Sequence, residues 1–226
     1  MTSQTEINHH IQREILHRLM FCTELRFSEL KKEGMENNIF MYHLKQLIKL
    51  GYVAKDSGTY RLAPAGLHYV DGLSNTNLRP RHQPKVIVIL AIKNSKNEWL
   101  LAKRKVQPYI EQLMFPSGKQ HVGETIAEHA RREAKEKLGV DLITQYRGTA
   151  EILIYSDDLL LTHVIAHVHY ANADIALPES SDRFSYIWHD FNDKSVALMP
   201  ATMDLFEALE ENKSIFIESW QKNIEN

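Results

Sequence analysis

The chain has 226 residues, enough for one large domain or two modest ones. Its 43% hydrophobic and 25% charged residues are those of an ordinary soluble globular protein, and a formal net charge of -2 excludes a chain that holds polyanions by bulk charge. The single cysteine, Cys22, excludes an intrachain disulfide and fits a reducing cytoplasm, where a small buried hydrophobe is the expected role of that thiol.

The first ten residues, MTSQTEINHH, have no charged n-region followed by an apolar core, so no signal peptide is expected. The pair His9-His10 reads as solvated. Ile11, Ile15, Leu16 and Leu19 recur at helical spacing. A short second helix is expected around Phe27 to Lys32, stopped by Gly34. A third is expected from Glu36 to Leu50, with Ile39, Phe40, Leu44, Leu47 and Ile48 on one face and Gly51 as terminator. Tyr52 to Lys55 and Thr59 to Leu62, around the turn Asp56-Ser57-Gly58, give a hairpin signal. Pro64 opens a last short helix ending near Gly72.

The runs FSEL (27–30), MYHLKQLIKLGYV (41–53) and GTYRLAPAGLHYV (58–70) resemble the recognition helix, wing and closing helix of a winged helix-turn-helix domain. In such domains the third helix enters the major groove of double-stranded DNA. The resemblance makes Asn38, Tyr42, Lys45, Gln46 and Lys49, beside Asn37 and Met41, the outward side chains, with Asn and Gln suited to base edges and Lys to phosphates. Residues 1–75 hold nine Lys+Arg against eight Asp+Glu, a weak basic footprint, so a dimerisation or protein-docking role for this fold stays open beside DNA contact.

Residues 76–85 are polar, carry Pro80 and Pro84, lack apolar periodicity, and read as a linker. Beyond them, Val86 to Ile92 is the longest apolar run, a buried strand far too short to span a bilayer. A turn at Asn94 to Asn97 precedes a second strand, Trp99 to Arg104. A loop with Pro108 and Pro116 leads to Gly118. Thr125 and Glu128 form a capping box, so a helix starts there. Ile126, Ala130, Ala134 and Leu138 make its buried stripe, and Gly139 is placed as a left-handed cap.

This helix carries the most informative stretch of the chain, GKQHVGETIAEHARREAKEKLGV over 118–140. Glu133 and Glu136 stand three apart on one helical face, an arrangement suited to a divalent cation that itself holds a phosphate. The spacing of Gly118, Glu124, Arg132, Glu133, Ala134, Glu136, Gly139 and Val140 resembles the Nudix box. That box runs Gly, five residues, Glu, seven residues, Arg-Glu, aliphatic, any, Glu-Glu, any, Gly, aliphatic. The resemblance implies hydrolysis of a nucleoside diphosphate linked to another moiety, with Mg2+ or Mn2+ bridging the pyrophosphate. It implies metal ligation by Glu133 and Glu136, an outer or water-mediated contact from Glu124, orientation of the carboxylates by Arg132, and a tight loop path at Gly118. A homodimer is implied as well. The expected architecture is an α+β two-domain chain: a winged helix over 1–75, and over 86–226 a Nudix α/β/α sandwich with a mixed sheet.

One position departs from the box. Lys137 stands where the family has a glutamate that is usually a metal ligand. At about 4 Å in a partly exposed site, exchanging attraction for repulsion costs on the order of several kcal/mol of metal binding. Three outcomes stay open: Glu151, Asp157 or Asp158 replaces the lost acid; the site works with fewer metals; or the domain binds its ligand without cleaving it. In the last case the chain resembles Nudix-related transcriptional regulators that sense a nucleotide-like metabolite, although those usually carry the winged helix after the Nudix domain.

Lys103 and Arg104 are expected to face the phosphates, with a surface charge pair as the alternative. His163, His167 and His169 share one side of a strand over Leu159 to Tyr170 and read as a half-exposed face rather than a zinc cluster. Tyr186 and Trp188 read as core or rim aromatics with base stacking as the alternative. Pro200 to Leu209 reads as a closing helix with Met203, Phe206 and Leu209 on one face, onto which, or onto a partner chain, Phe216 and Trp220 pack.

Overall fold

The computed structural model of the chain describes residue 7 and residues 9–73, 83–211 and 215–224. Two compact units result, Met1–Gln83 and Pro84–Asn226. Most of the expected linker, residues 76–82, lies outside the described residues. Its last residue, Lys85, is the first of a strand.

In the first unit the order is α1 (His10–Met20), β1 (Leu25–Arg26), α2 (Phe27–Leu30), α3 (Asn37–Lys49), β2 (Val53–Asp56), β3 (Thr59–Leu62) and α4 (Pro64–Asp71). The strands pair antiparallel in the order β1-β3-β2. Leu16, Leu30, Phe40, Leu44 and Leu47 are fully or almost fully buried in one core. Gly51 adopts the left-handed backbone that ends α3, as its position predicts. Ile39, expected in the core stripe, is half exposed, and Ile48 only partly buried, so that stripe is narrower than the periodicity suggests. His9 is not simply solvated: its Nδ1 accepts from the Ile11 N–H at 3.2 Å, capping α1, and its ring stacks on His43 at 3.8 Å. Cys22 is half-buried, and its thiol points to the Arg18 carbonyl at 3.4 Å.

The second unit runs β4 (Lys85–Lys93), β5 (Trp99–Arg104), β6 (Leu113–Met114), β7 (Ser117–Lys119), α5 (Ile126–Glu133), β8 (Gln145–Ser156), β9 (Leu159–Asn172), β10 (Phe184–His189), α6 (Thr202–Glu210) and β11 (Phe216–Ile224). The path through its sheet is β10-β5-β4-β9-β8-β11, with β6 on β5 and β7 on β4. The sheet is mixed: β4 pairs parallel with β9 and β11 with β8, while β10–β5, β8–β9 and β4–β7 are antiparallel.

β4 shows how the layers form. Val88, Leu90 and Ile92 turn to one face and pack with Ala130, Ala134 and Leu138 of the helix that begins with α5. Ile89 and Ala91 turn to the other and pack with Leu205, Ala208 and Leu209 of α6. Period-2 alternation therefore buries both faces of one strand, which is why Val86 to Ile92 reads as a continuous apolar run.

Two expectations are corrected here. Ile126 heads the predicted stripe of α5 but is exposed at the helix start, before the helix reaches the sheet. α6 begins at Thr202, not Pro200, because Ala201 takes a left-handed conformation before it; Thr202, Leu205, Ala208 and Leu209 form its buried face. Phe216 and Trp220 lie on strand β11, parallel to β8; Phe216 shares a buried cluster with Leu205, Ala208 and Leu209 of α6, and Trp220 packs against that cluster, as expected. Among the described residues, no helix is long and apolar enough to cross a membrane.

Candidate functional site

Thr125 caps α5 as its spacing requires: its hydroxyl accepts from the Glu128 N–H, and the Glu128 carboxylate accepts from the Thr125 N–H at 2.8 Å. After Glu133 the helix widens into a π turn over Ala134–Leu138, and Gly139, at φ 71°, closes it. Such widened turns are common at functional sites.

Arg132 is the centre of the site. Its guanidinium donates to both oxygens of Glu124, to Glu133 Oε1 at 2.8 Å, to Glu136 Oε2 at 2.9 Å and to the Lys119 carbonyl at 3.0 Å. The bidentate pair, with the His121 N–H added at 2.9 Å, holds the Glu124 carboxyl down to about 2. Glu124 is thereby committed to positioning Arg132, and its oxygens have little left to offer a metal.

Glu133 is buried. Oε1 is held by Arg132, while Oε2 has no hydrogen-bond partner among the described residues. That carboxylate occupies space which only Gly118 leaves open: a Cβ on Gly118 would fall 1.8–2.0 Å from its atoms. Gly118 lies in β7 paired with Val88, and its backbone is not left-handed. The expected reason for this glycine, a tight loop path, is therefore replaced by close approach of a side chain. His129, fully buried one turn before Glu133, ties the same residue from behind through Nε2 to the Gly118 carbonyl at 3.1 Å. The one signal of His129 in the sequence is a histidine inside an otherwise charged helix face.

Lys137 enters from the next turn. Its Nζ lies 3.8 Å from Glu133 Oε2 and 5.0 Å above the Phe184 ring. Glu133, Glu136 and Lys137 line a pocket of about 520 Å³ with Lys85, Arg104, Lys119, Arg132 and Arg183. Arg104 lines the pocket, its Nε donating to the Pro108 carbonyl at 2.8 Å. Lys103 is not: adjacent strand residues face opposite ways, and it pairs with Glu111 instead. Phe184, rather than Tyr186 or Trp188, reaches the pocket; the latter two pack against the α5-side core. Lys85, Lys119 and Arg183 were not singled out from sequence, because they come from a strand start, a strand end and a distant loop.

NUDIX hydrolases generally use a divalent ion such as Mg2+. The donor set here does not fit one. Among the described residues Glu133 and Glu136 are the only carboxylates lining the pocket, both are paired with Arg132, and an ammonium stands at the third position. None of the replacements considered from sequence reaches it. Glu151 is held by Ser219 and His163, and Asp157 and Asp158 line a separate concavity at the β8–β9 turn. Among the described residues no group of three His, Cys, Asp or Glu side chains is arranged to hold a metal. His163, His167 and His169 are each bonded to a side chain of their own surroundings, Glu151, Thr149 and Thr144. His169 is buried rather than half exposed.

The NUDIX domain model matches residues 81–209, more than half of the chain. Among solved structures, the chain is similar to a MutT NUDIX hydrolase from Burkholderia pseudomallei at 28% identity, over 58% of this chain and 99% of that one, with a TM-score of 0.48. It is similar in fold to the mutator MutT protein of Bacillus halodurans, at 14% identity over 61% and 89% of the two chains and a TM-score of 0.51. A third likeness is to the NUDIX domain of Shewanella oneidensis NrtR complexed with ADP ribose, at 14% identity over 64% and 96% and a TM-score of 0.50. No curated protein matches the sequence. The match of the domain model over residues 81–209, on a fold that assembles the Gly118 to Val140 motif around one pocket, makes this chain a member of the NUDIX family.

Proposed function

We propose that the C-terminal unit binds the diphosphate of a nucleoside diphosphate-linked molecule and that the N-terminal unit is a winged helix that contacts double-stranded DNA. The chain then acts as a ligand-responsive regulator. The observation that carries this reading is Lys137: the third acid of the motif is a cation 3.8 Å from Glu133, and no other pocket carboxylate replaces it. The pocket's six Lys and Arg side chains suit an anion. The NrtR NUDIX domain, alike in fold, was crystallised with ADP ribose, which supports the ligand class.

For the first unit, support comes from the order α1-β1-α2-α3-β2-β3-α4 and the β1-β3-β2 sheet. Asn38, Tyr42, Lys45 and Lys49 are exposed on α3, and Gln46, half-buried, donates to the Tyr42 hydroxyl at 2.8 Å. A homodimer belongs to this reading, since two winged helices would address two half-sites. The test is fluorescence anisotropy of the full chain with DNA from its own upstream region, at several salt concentrations, with and without ADP-ribose, NADH and nucleoside triphosphates. Salt-sensitive binding that one of these ligands alters is expected, and Lys45→Ala with Lys49→Ala should weaken it. Binding that no ligand alters, or none at all, rejects the regulator.

A second reading is hydrolysis of the same pyrophosphate. NUDIX membership supports a nucleotide pyrophosphohydrolase role, and the motif carboxylates Glu133 and Glu136 both line the pocket. Release of phosphorylated product from the same panel with Mg2+ or Mn2+ would establish it. The absence of turnover at high protein concentration would remove it.

A further inference from the structure

The pocket holds an excess of fixed positive charge. Lys85, Arg104, Lys119, Arg132, Lys137 and Arg183 stand against two carboxylates, and Arg132 already pairs with both of these. Among the described residues, no carboxylate pairs with Lys85, Lys119 or Arg183. The crowding is felt: burial first, then repulsion from Lys119 and Arg104, holds the Lys85 amine below its ordinary value.

Lys137 is anchored beside the motif carboxylates. The Glu133 carboxylate on one side and the Phe184 ring on the other keep its ammonium at the motif carboxylates. An ammonium there stands where a divalent ion would bridge these carboxylates to a phosphate, and lysine serves phosphates as a point charge.

We infer that Lys137 takes the place of the metal: its ammonium, with Lys85, Arg104, Lys119 and Arg183, holds the ligand's diphosphate directly, so that ligand binding needs no divalent ion. This rests on the reading of the pocket as a diphosphate site. A ligand that arrives without metal then meets no ion able to activate a water, which separates binding from turnover on this scaffold.

The test is isothermal titration of the full chain with inorganic pyrophosphate and, separately, ADP-ribose, in excess EDTA and in excess Mg2+. The wild-type chain is expected to bind in EDTA at least as tightly as in Mg2+. Lys137→Met should lower affinity in EDTA by about tenfold or more, as loss of a charged contact implies. Lys137→Arg, which keeps the charge and guards against a folding defect in the first variant, should retain binding. Lys137→Glu should bind only when Mg2+ is present and should take up Mn2+, read by electron paramagnetic resonance. Wild-type binding that requires Mg2+ overturns the inference and leaves the diphosphate reading standing. So does Mn2+ uptake by the wild type that Glu133→Gln abolishes, or an unchanged EDTA affinity in a folded Lys137→Met. Failure of both probes under both conditions overturns the pocket reading and this inference with it.

Discussion

Lys137 Nζ and Glu133 Oε2 lie 3.8 Å apart, one turn from each other on a helix that widens between them. Glu133 is thus neutralised from two sides, by Arg132 at Oε1 and by Lys137 at Oε2. A buried carboxylate with two fixed cations has little left for a third, and that arithmetic of charge decides what the pocket can bind.

Gly118→Ala should be disproportionately harmful for one added methyl. The new Cβ would overlap the Glu133 carboxylate, which is hemmed in by Arg132 and Lys137 and cannot retreat. We expect about 1–3 kcal/mol of destabilisation, typical of overpacking, and at least tenfold weaker ligand binding. Urea unfolding and titration calorimetry measure both; an Ala variant with wild-type values would mean that Glu133 has another rotamer available.

Arg132→Met should unfold the C-terminal unit more readily by about 2–4 kcal/mol, because it strands the buried Glu133 beside a lone lysine. Adding Glu133→Gln should recover part of the loss. A double-mutant cycle in urea gives the coupling, and additivity of the two changes would show that the pair is not coupled.

Acid should weaken the C-terminal unit in a defined window. The Glu124 carboxyl titrates near 4.5 when unfolded and is held at about 2 by its Arg132 pair. The unfolded chain therefore binds the extra proton, so stability is complete above about 4.5 and is lost as pH falls toward 2. Glu124→Gln should flatten the urea midpoint across that window; an unchanged slope would show that the pair is open in solution.

His169 should give a second, higher window. Burial first, then its neighbours His167 and His129, lowers it from 6.5 to about 4. It stays neutral in the fold and charges on unfolding, so its contribution is complete above about 6.5 and is lost between there and 4. Proton NMR of the ring should show no titration near neutrality, and His169→Gln should remove the stability slope there.

Much of the site is legible as spacing. Thr125 and Glu128, the Glu133–Glu136 face, Arg132 at i,i+4 from Glu136, and Gly139 as terminator all depend on neighbours within a turn or two, where chain geometry does the placing. Period-2 and period-3.6 patterns likewise announced α3, β4, β5 and α5. The short strands β6 and β7 escaped, since two or three residues carry no period.

What the string of residues determined is the motif: which carboxylates share a helix face, and that a lysine interrupts them. Only the tertiary structure decided the rest. It brought Lys85, Arg104 and Arg183 to the same pocket as Lys137, turned Lys103 away, put Glu151, Asp157 and Asp158 out of reach, and made Gly118 necessary to Glu133 rather than to a turn. The reason is physical. Local spacing sets which way a side chain leaves its own element, but which charges meet across a pocket depends on strand register and sheet order, and these join segments far apart in the chain.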